Sequence, residues 1–125
     1  MNQKKTLLSG AVLGLLGVAL GAFGAHALKA ILTENGRVDT YELAVRYQFY
    51  HALALLFTGI MMEKFGVSIL RWASLLLSGG VALFSGSLYL FALTNVSLFA
   101  MITPLGGLLL LAGWSAMVYG MTKTS

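Results

Sequence analysis

WASLLLSGGVALFSGSLYLFALTNVSLFAMITPLGGLLLLAGWSAMVYGMT, residues 72–122, contains no charged side chain. At a rise of about 1.5 Å per residue, one helix of that length would run roughly 75 Å. The hydrocarbon core of a bilayer is only about 30 Å thick. The stretch therefore has to cross a membrane twice, with a turn between the crossings. Thr103-Pro104 suggests where the second crossing starts: threonine reads as an N-cap and proline as the first helical residue, where its missing N–H is no loss. This reading predicts helices at about residues 71–93 and 104–121. The intervening residues 95–102 are still apolar and read equally as an interfacial or a partly re-entrant segment.

Upstream, the uncharged run between Lys5 and Lys29 predicts a first helix at about residues 6–28. The run between Arg46 and Glu63 is short for a crossing, so Arg46 is expected to snorkel and the helix to start earlier, at about residues 41–63. Asp39-Thr40-Tyr41-Glu42 fits a capping box, Asn35-Gly36 a turn, and Glu42 and Arg46 lie four apart on one face. The expected architecture is all-α, an integral membrane four-helix bundle with short loops, residues 1–125 forming a single transmembrane domain. Composition agrees: 10% of residues are charged, against about 25% in a soluble domain, too few to wet a globule's surface. Without cysteine there are no disulfides, thiol catalysis or thiolate metal sites. The net charge of +4 comes from basic residues at the edges of apolar runs, which anchor helix ends and are no sign of nucleic-acid binding.

With four crossings, the side of the termini would hold Lys4, Lys5, Lys64, Arg71 and Lys123, and the other side Lys29, Arg37 and Arg46 offset by Glu34, Asp39 and Glu42. The positive-inside rule then places both termini in the cytoplasm. Lys4-Lys5, an apolar run and Ala25-His26-Ala27 imitate a signal peptide, but the run exceeds the usual apolar region of about 7–15 residues, so no cleavage is expected.

Membrane helices associate by close packing and hydrogen bonding, because lipid is as apolar as leucine. Gly10, Gly14, Gly17, Gly21 and Gly24 recur at steps of four and three and form one stripe on the first helix. Gly106, Gly113 and Gly120 recur at sevens on the last, and Ser74, Ser78, Ala82 and Ser85 line the third. These stripes predict helix packing inside the chain. The alternative is that one of them, the first above all, faces a second copy.

The two histidines, His26 and His51, both fall in apolar segments, where ionisable groups point to function by default. His51 shares a face with Tyr47, Gln48 and Thr58. Three readings stay open. The imidazoles bond to carbonyls, tyrosines or headgroups and pin helix ends. Or His26, Tyr47, Gln48 and His51 line a polar pocket for a lipid headgroup, a small solute or a relayed proton near the non-cytoplasmic leaflet. Or the two histidines ligate haem or a metal between helices, although a metal site normally takes three or four ligands and no acid lies in the spans. The first is favoured, which leaves no metal or cofactor expected. Trp72, Tyr41, Tyr47, Tyr50 and Tyr119 read as interfacial anchors and Trp114 as a packed ring needing an acceptor.

Gly21-Ala22-Phe23-Gly24-Ala25-His26-Ala27-Leu28, Tyr47-Gln48-Phe49-Tyr50-His51-Ala52-Leu53-Ala54, Gly86-Ser87-Leu88-Tyr89 and Thr103-Pro104-Leu105-Gly106-Gly107 with Gly113-Trp114 resemble the small membrane proteins catalogued as domain of unknown function 423. The likeness spans essentially the whole chain, and the two histidine blocks are its most specific part. Ala27 stands where the pattern suggests glycine, a difference that bears on local packing. The resemblance implies a four-helix protein of the bacterial cytoplasmic membrane and no activity, so no catalytic or ligand residue carries over from it.

The residues thus point to a multi-pass membrane protein that is not an enzyme, since no nucleophile–base or carboxylate pair stands out. It is expected to act through packing, as an oligomer or an accessory subunit, with membrane lipid, another copy or another membrane protein as partner. The alternative is binding or transport of a lipid or small ligand.

Overall fold

The computed structural model describes residues 1–123. Those residues form five helices: α1 (Gln3–Ala25), α2 (Lys29–Asn35), α3 (Val38–Phe65), α4 (Ser68–Thr94) and α5 (Ser97–Lys123). The chain is all-helical as expected, but the four-helix bundle is overturned by the helix count and by the arrangement. Three helices, α1, α4 and α5, are long and apolar enough to cross a membrane. The fourth long helix, α3, is not apolar enough by its own composition: it carries charges at both ends and Tyr47, Gln48 and His51 between them. It is instead sheltered by neighbours. The helices form an open row in which α1 lies along α3, α3 along α4 and α4 along α5, while α1 and α5 nowhere meet.

The extra helix sits where a loop was expected. α2 has seven residues and no side-chain N-cap, so neither period nor cap announces it. It ends at Gly36, whose φ of 68° is the left-handed conformation that glycine adopts without strain. Its last residue does structural work: Asn35 Nδ2 donates to the carbonyls of Ala92 (3.0 Å) and Leu93 (3.2 Å). The last carbonyls of a helix have no partner within it, so α2 caps α4. Arg37 completes this corner, donating through Nε to Asn95 Oδ1 at 3.0 Å with its guanidinium 4.2 Å from the Phe91 ring.

Each of the four predicted helices starts earlier than the sequence reading has it, and two of these shifts change what the first residues do. α3 begins at Val38 with Arg37 as its N-cap, so Asp39 lies in the first turn, where a carboxylate favours the positive end of the helix dipole. α5 begins at Ser97, so residues 97–102 are helical and Pro104 lies inside the helix. Proline removes one N–H from the ladder there. Nearby, Thr103 Oγ1 donates to the Phe99 carbonyl (3.3 Å) and lies 2.6 Å from Ser87 Oγ of α4.

Glycines set the spacing of the two outer seams. A Cβ at Gly10 would stand 2.8 Å from the Ala52 carbonyl oxygen of α3, and one at Gly17 would meet the Phe49 ring at 2.9 Å. Gly24 lies against the Tyr41 ring, Gly21 has ordinary room beside Val45, and Gly14 has nothing within 4 Å. On the other seam, Leu70, Leu77 and Phe84 of α4 lie against Gly120, Gly113 and Gly106 of α5. Both sets repeat every seven residues, so the knobs of α4 meet the gaps of α5 along the whole contact. The core between α3 and α4 is small, built on Leu55, Ala73, Leu77 and Val81. The outside is apolar: Leu15 is 70% exposed and Met101 72%. That pattern suits a solvent of lipid tails.

Gly106→Ala should therefore destabilise the protein by about 1–3 kcal/mol, since its Cβ would lie 2.7 Å from Phe84 Cα and force the helices apart. Gly14→Ala should instead gain up to about 1 kcal/mol through helix propensity alone. Denaturant unfolding in detergent micelles, monitored by circular dichroism, measures both.

Candidate functional site

Helix α3 presents polar side chains to three different neighbours. Gln48 is buried and bridges two of them: its Nε2 donates to the Leu13 carbonyl of α1 (2.8 Å), and its Oε1 accepts from the Tyr89 hydroxyl of α4 (2.5 Å). Two turns up, the Tyr41 hydroxyl donates to the Leu20 carbonyl of α1, and its ring meets Tyr89 edge-on at 5.1 Å. Ser85 of α4 donates to the Ala44 carbonyl at 2.8 Å. These bonds hold α1, α3 and α4 in one register.

His51 faces the opposite way, toward α5. Its Nδ1 lies 2.7 Å from the Tyr47 carbonyl and its Nε2 3.1 Å from the Trp114 indole nitrogen. A carbonyl only accepts and an indole N–H only donates. The ring is therefore neutral, with the proton on Nδ1 and the Nε2 lone pair held by Trp114. Neither nitrogen is left for a metal or haem iron in this geometry. Tyr47 stacks on Phe84 at 4.5 Å and on the His51 ring at 5.9 Å. With Pro104 and Trp114 these rings line a cleft of about 400 Å³ between α3, α4 and α5.

The four residues proposed for one polar pocket are thus divided. His26 is exposed at the C-cap of α1, with its backbone N–H bonded to the Phe23 carbonyl (3.3 Å). Tyr47 and His51 share the aromatic cleft. Gln48 is turned to α1 and α4. Thr58, on the predicted polar face, donates to the Ala54 carbonyl (2.7 Å) and contacts the Met117 sulfur (3.5 Å). Among the described residues no buried side-chain nitrogen or oxygen lacks a partner, and no three potential metal ligands cluster.

Sequence reasoning missed a second cavity, of about 390 Å³, between α1, α2 and α3 at the end of the row away from Gln3 and Lys123. Gly21, Gly24 and Val45 are among its walls, and Lys29, Glu42 and Arg46 also line it. The four-residue spacing of Glu42 and Arg46 was a visible signal, but it suggested a pair. Among the described residues neither side chain makes an ion pair, and both line the opening.

Comparison with known proteins places these features in a family. Residues 20–107 match the model described as "Protein of unknown function (DUF423)". A UPF0382 membrane protein of Staphylococcus haemolyticus is 40% identical over 121 residues, covering 97% of this chain and 98% of the relative. The UPF0382 inner membrane protein YgdD of Escherichia coli is 42% identical over 123 residues, covering 96% of this chain and 91% of the relative. No solved structure matches the chain.

Gln48→Leu should lower stability by about 1–2 kcal/mol, because it strands the Tyr89 hydroxyl and the Leu13 carbonyl. Tyr89→Phe in the same background should add little, giving a coupling near the ~0.6–1.7 kcal/mol found for polar pairs between membrane helices. His51→Leu should cost a similar amount and His26→Ala nothing measurable. Unfolding in micelles of the four variants and the double mutant tests the division.

Proposed function

The chain belongs to the DUF423 family of membrane proteins, and we propose that it is a non-enzymatic multi-pass protein working through lateral helix contacts, as a small oligomer. The observation that carries this reading is the use of polar groups. Gln48, His51, Ser85, Tyr41 and Tyr89 are all engaged in bonds that fix one helix against another or against its own backbone. Chemistry on a substrate would need a polar group held free and aimed at it. These five groups are committed to assembly instead.

The open row supports the oligomer. α4 lies in the middle of the row yet keeps one uncovered face, where Gly79 and Gly86 have nothing within 4 Å and Ala82 is exposed. Small residues at this spacing let a second helix approach closely. Service as an accessory subunit of another membrane protein is the second reading, favoured by the apolar outer faces of α1 and α5. The antiparallel order puts Gln3 and Lys123 at one end of the row, with Lys4, Lys5, Lys64 and Arg71. The excess of basic residues supports a cytoplasmic location for that end.

The chain has no cysteine, so single cysteines report cleanly. Ala82→Cys in isolated membranes should oxidise to a dimer, and Gly79→Leu added to it should abolish that dimer. An adduct formed only with a different membrane protein, through a thiol-to-amine linker, would favour the accessory role. A monomer under every condition defeats both readings. Glu34→Cys should react with an impermeant maleimide on intact cells, and Lys64→Cys only after the membrane is opened.

A further inference from the structure

The cavity between α1, α2 and α3 takes no part in the lateral contacts proposed above. Its space comes from α1, where Gly21 presents no side chain and Ala25 only a methyl group, while the Tyr41 ring fills the gap at Gly24. α2 folds over its upper end, held by Leu32, which is 1% exposed. Its volume of about 390 Å³ lies within the range of small-ligand sites, about 300–1,000 Å³.

The lining is apolar on one side and charged on the other. Val38, Val45 and Leu32 form the apolar part, and Lys29, Glu42 and Arg46 the charged part. None of the three charged side chains makes an ion pair or hydrogen bond to another described residue. Arg37, by contrast, is fastened to Asn95 and Phe91. The depth of Arg46 makes its freedom informative. Its neighbour Val45 packs beside Gly21, four residues inside the end of α1, which puts that level about 6 Å below the helix end. The Arg46 side chain is exposed at that level, beside the apolar surface of α1, where an anion can reach it.

We infer that this cavity binds the headgroup of a phosphodiester lipid whose terminal group is a hydrogen-bond donor, an amine or a hydroxyl. Two cations and one acid set this chemistry. A phosphodiester carries one negative charge and acceptor oxygens, which suit the forked donors of Arg46 together with the point charge of Lys29. Glu42 can only accept, so it favours a headgroup that ends in N–H or O–H and disfavours a trimethylated amine, which has neither. The apolar walls between α1 and α3 take the glycerol and the first part of an acyl chain. A soluble glycerophosphodiester offers the same polar chemistry without that chain, and the apolar walls favour the lipid.

The test is native mass spectrometry of the full chain in maltoside micelles, titrated with dioleoyl phosphatidylethanolamine, phosphatidylglycerol or phosphatidylcholine. A parallel arm uses glycerophosphoethanolamine. One phosphatidylethanolamine or phosphatidylglycerol should be retained, about tenfold more tightly than phosphatidylcholine, with Arg46→Gln and Lys29→Gln each losing about tenfold. Glu42→Gln should narrow the gap to phosphatidylcholine. Arg46→Lys keeps the charge and the fold, and should still weaken the lipid through the lost fork. Gly21→Ile touches no charge and should weaken the lipid by narrowing its channel. Equal retention of all three lipids by parent and variants overturns the site, leaving only lipid that coats the surface. Glycerophosphoethanolamine bound as tightly as the lipid overturns the lipid as occupant.

Discussion

Lipid tails solvate a leucine about as well as a neighbouring helix does, so the row of helices cannot rely on the force that folds soluble proteins. What remains is the gain from atoms in close contact, small per pair and large only when backbones lie near each other. Everything else in the structure depends on that nearness. At Gly10 against Ala52, at Gly113 against Leu77 and at Gly106 against Phe84, one helix rests on its neighbour's backbone or on the base of its side chain. The seven-residue repeat keeps these contacts in line along both outer seams. Any side chain at these points would separate the helices over a full turn on either side.

Close packing alone does not choose a register, since one glycine gap resembles the next. The polar bonds of α3 make the choice. Gln48 can satisfy both ends of its amide only when Leu13 of α1 and Tyr89 of α4 stand at their observed levels. A shift of one turn would leave a buried amide and a buried phenol without partners, a penalty of several kcal/mol in hydrocarbon. His51 and Trp114 do the same between α3 and α5. The polar residues that exclude α3 from the plainly apolar helices are thus the ones that place its neighbours.

The sequence told some of this and hid the rest, for physical reasons. Residues 72–122 declare a membrane because charge is intolerable across two crossings, and the motif blocks declare the family. Helix ends were harder. Thr103-Pro104 looks like a start because proline is tolerated there, yet it sits mid-helix, where Ser87 of a neighbour that no local pattern reveals lies beside Thr103. α2 is too short to show a period, and its purpose lies some sixty residues away at Ala92 and Leu93. The spacing of the glycines was plain, but a spacing does not name the partner: Gly14 looks like its neighbours in the chain, yet a side chain there would point into open space. His26 and His51 looked alike because both interrupt apolar runs, and only the folded chain separates an exposed turn from a buried bond. The cavity of Lys29, Glu42 and Arg46 needed three helices to exist.

The clamp that Asn35 places on α4 also imposes an order in time. Synthesis runs from the N-terminus, and Asn35 leaves the ribosome well before Ala92 and Leu93, whose carbonyls it holds. Until α4 is complete, α2 has no partner at that corner and its amide is served by water. The α4–α5 pair, in contrast, is joined by a turn at Asn95 and can zip from there as soon as α5 enters the membrane. The corner where α2 meets α4 therefore closes only once the chain between them, some 57 residues, has been made.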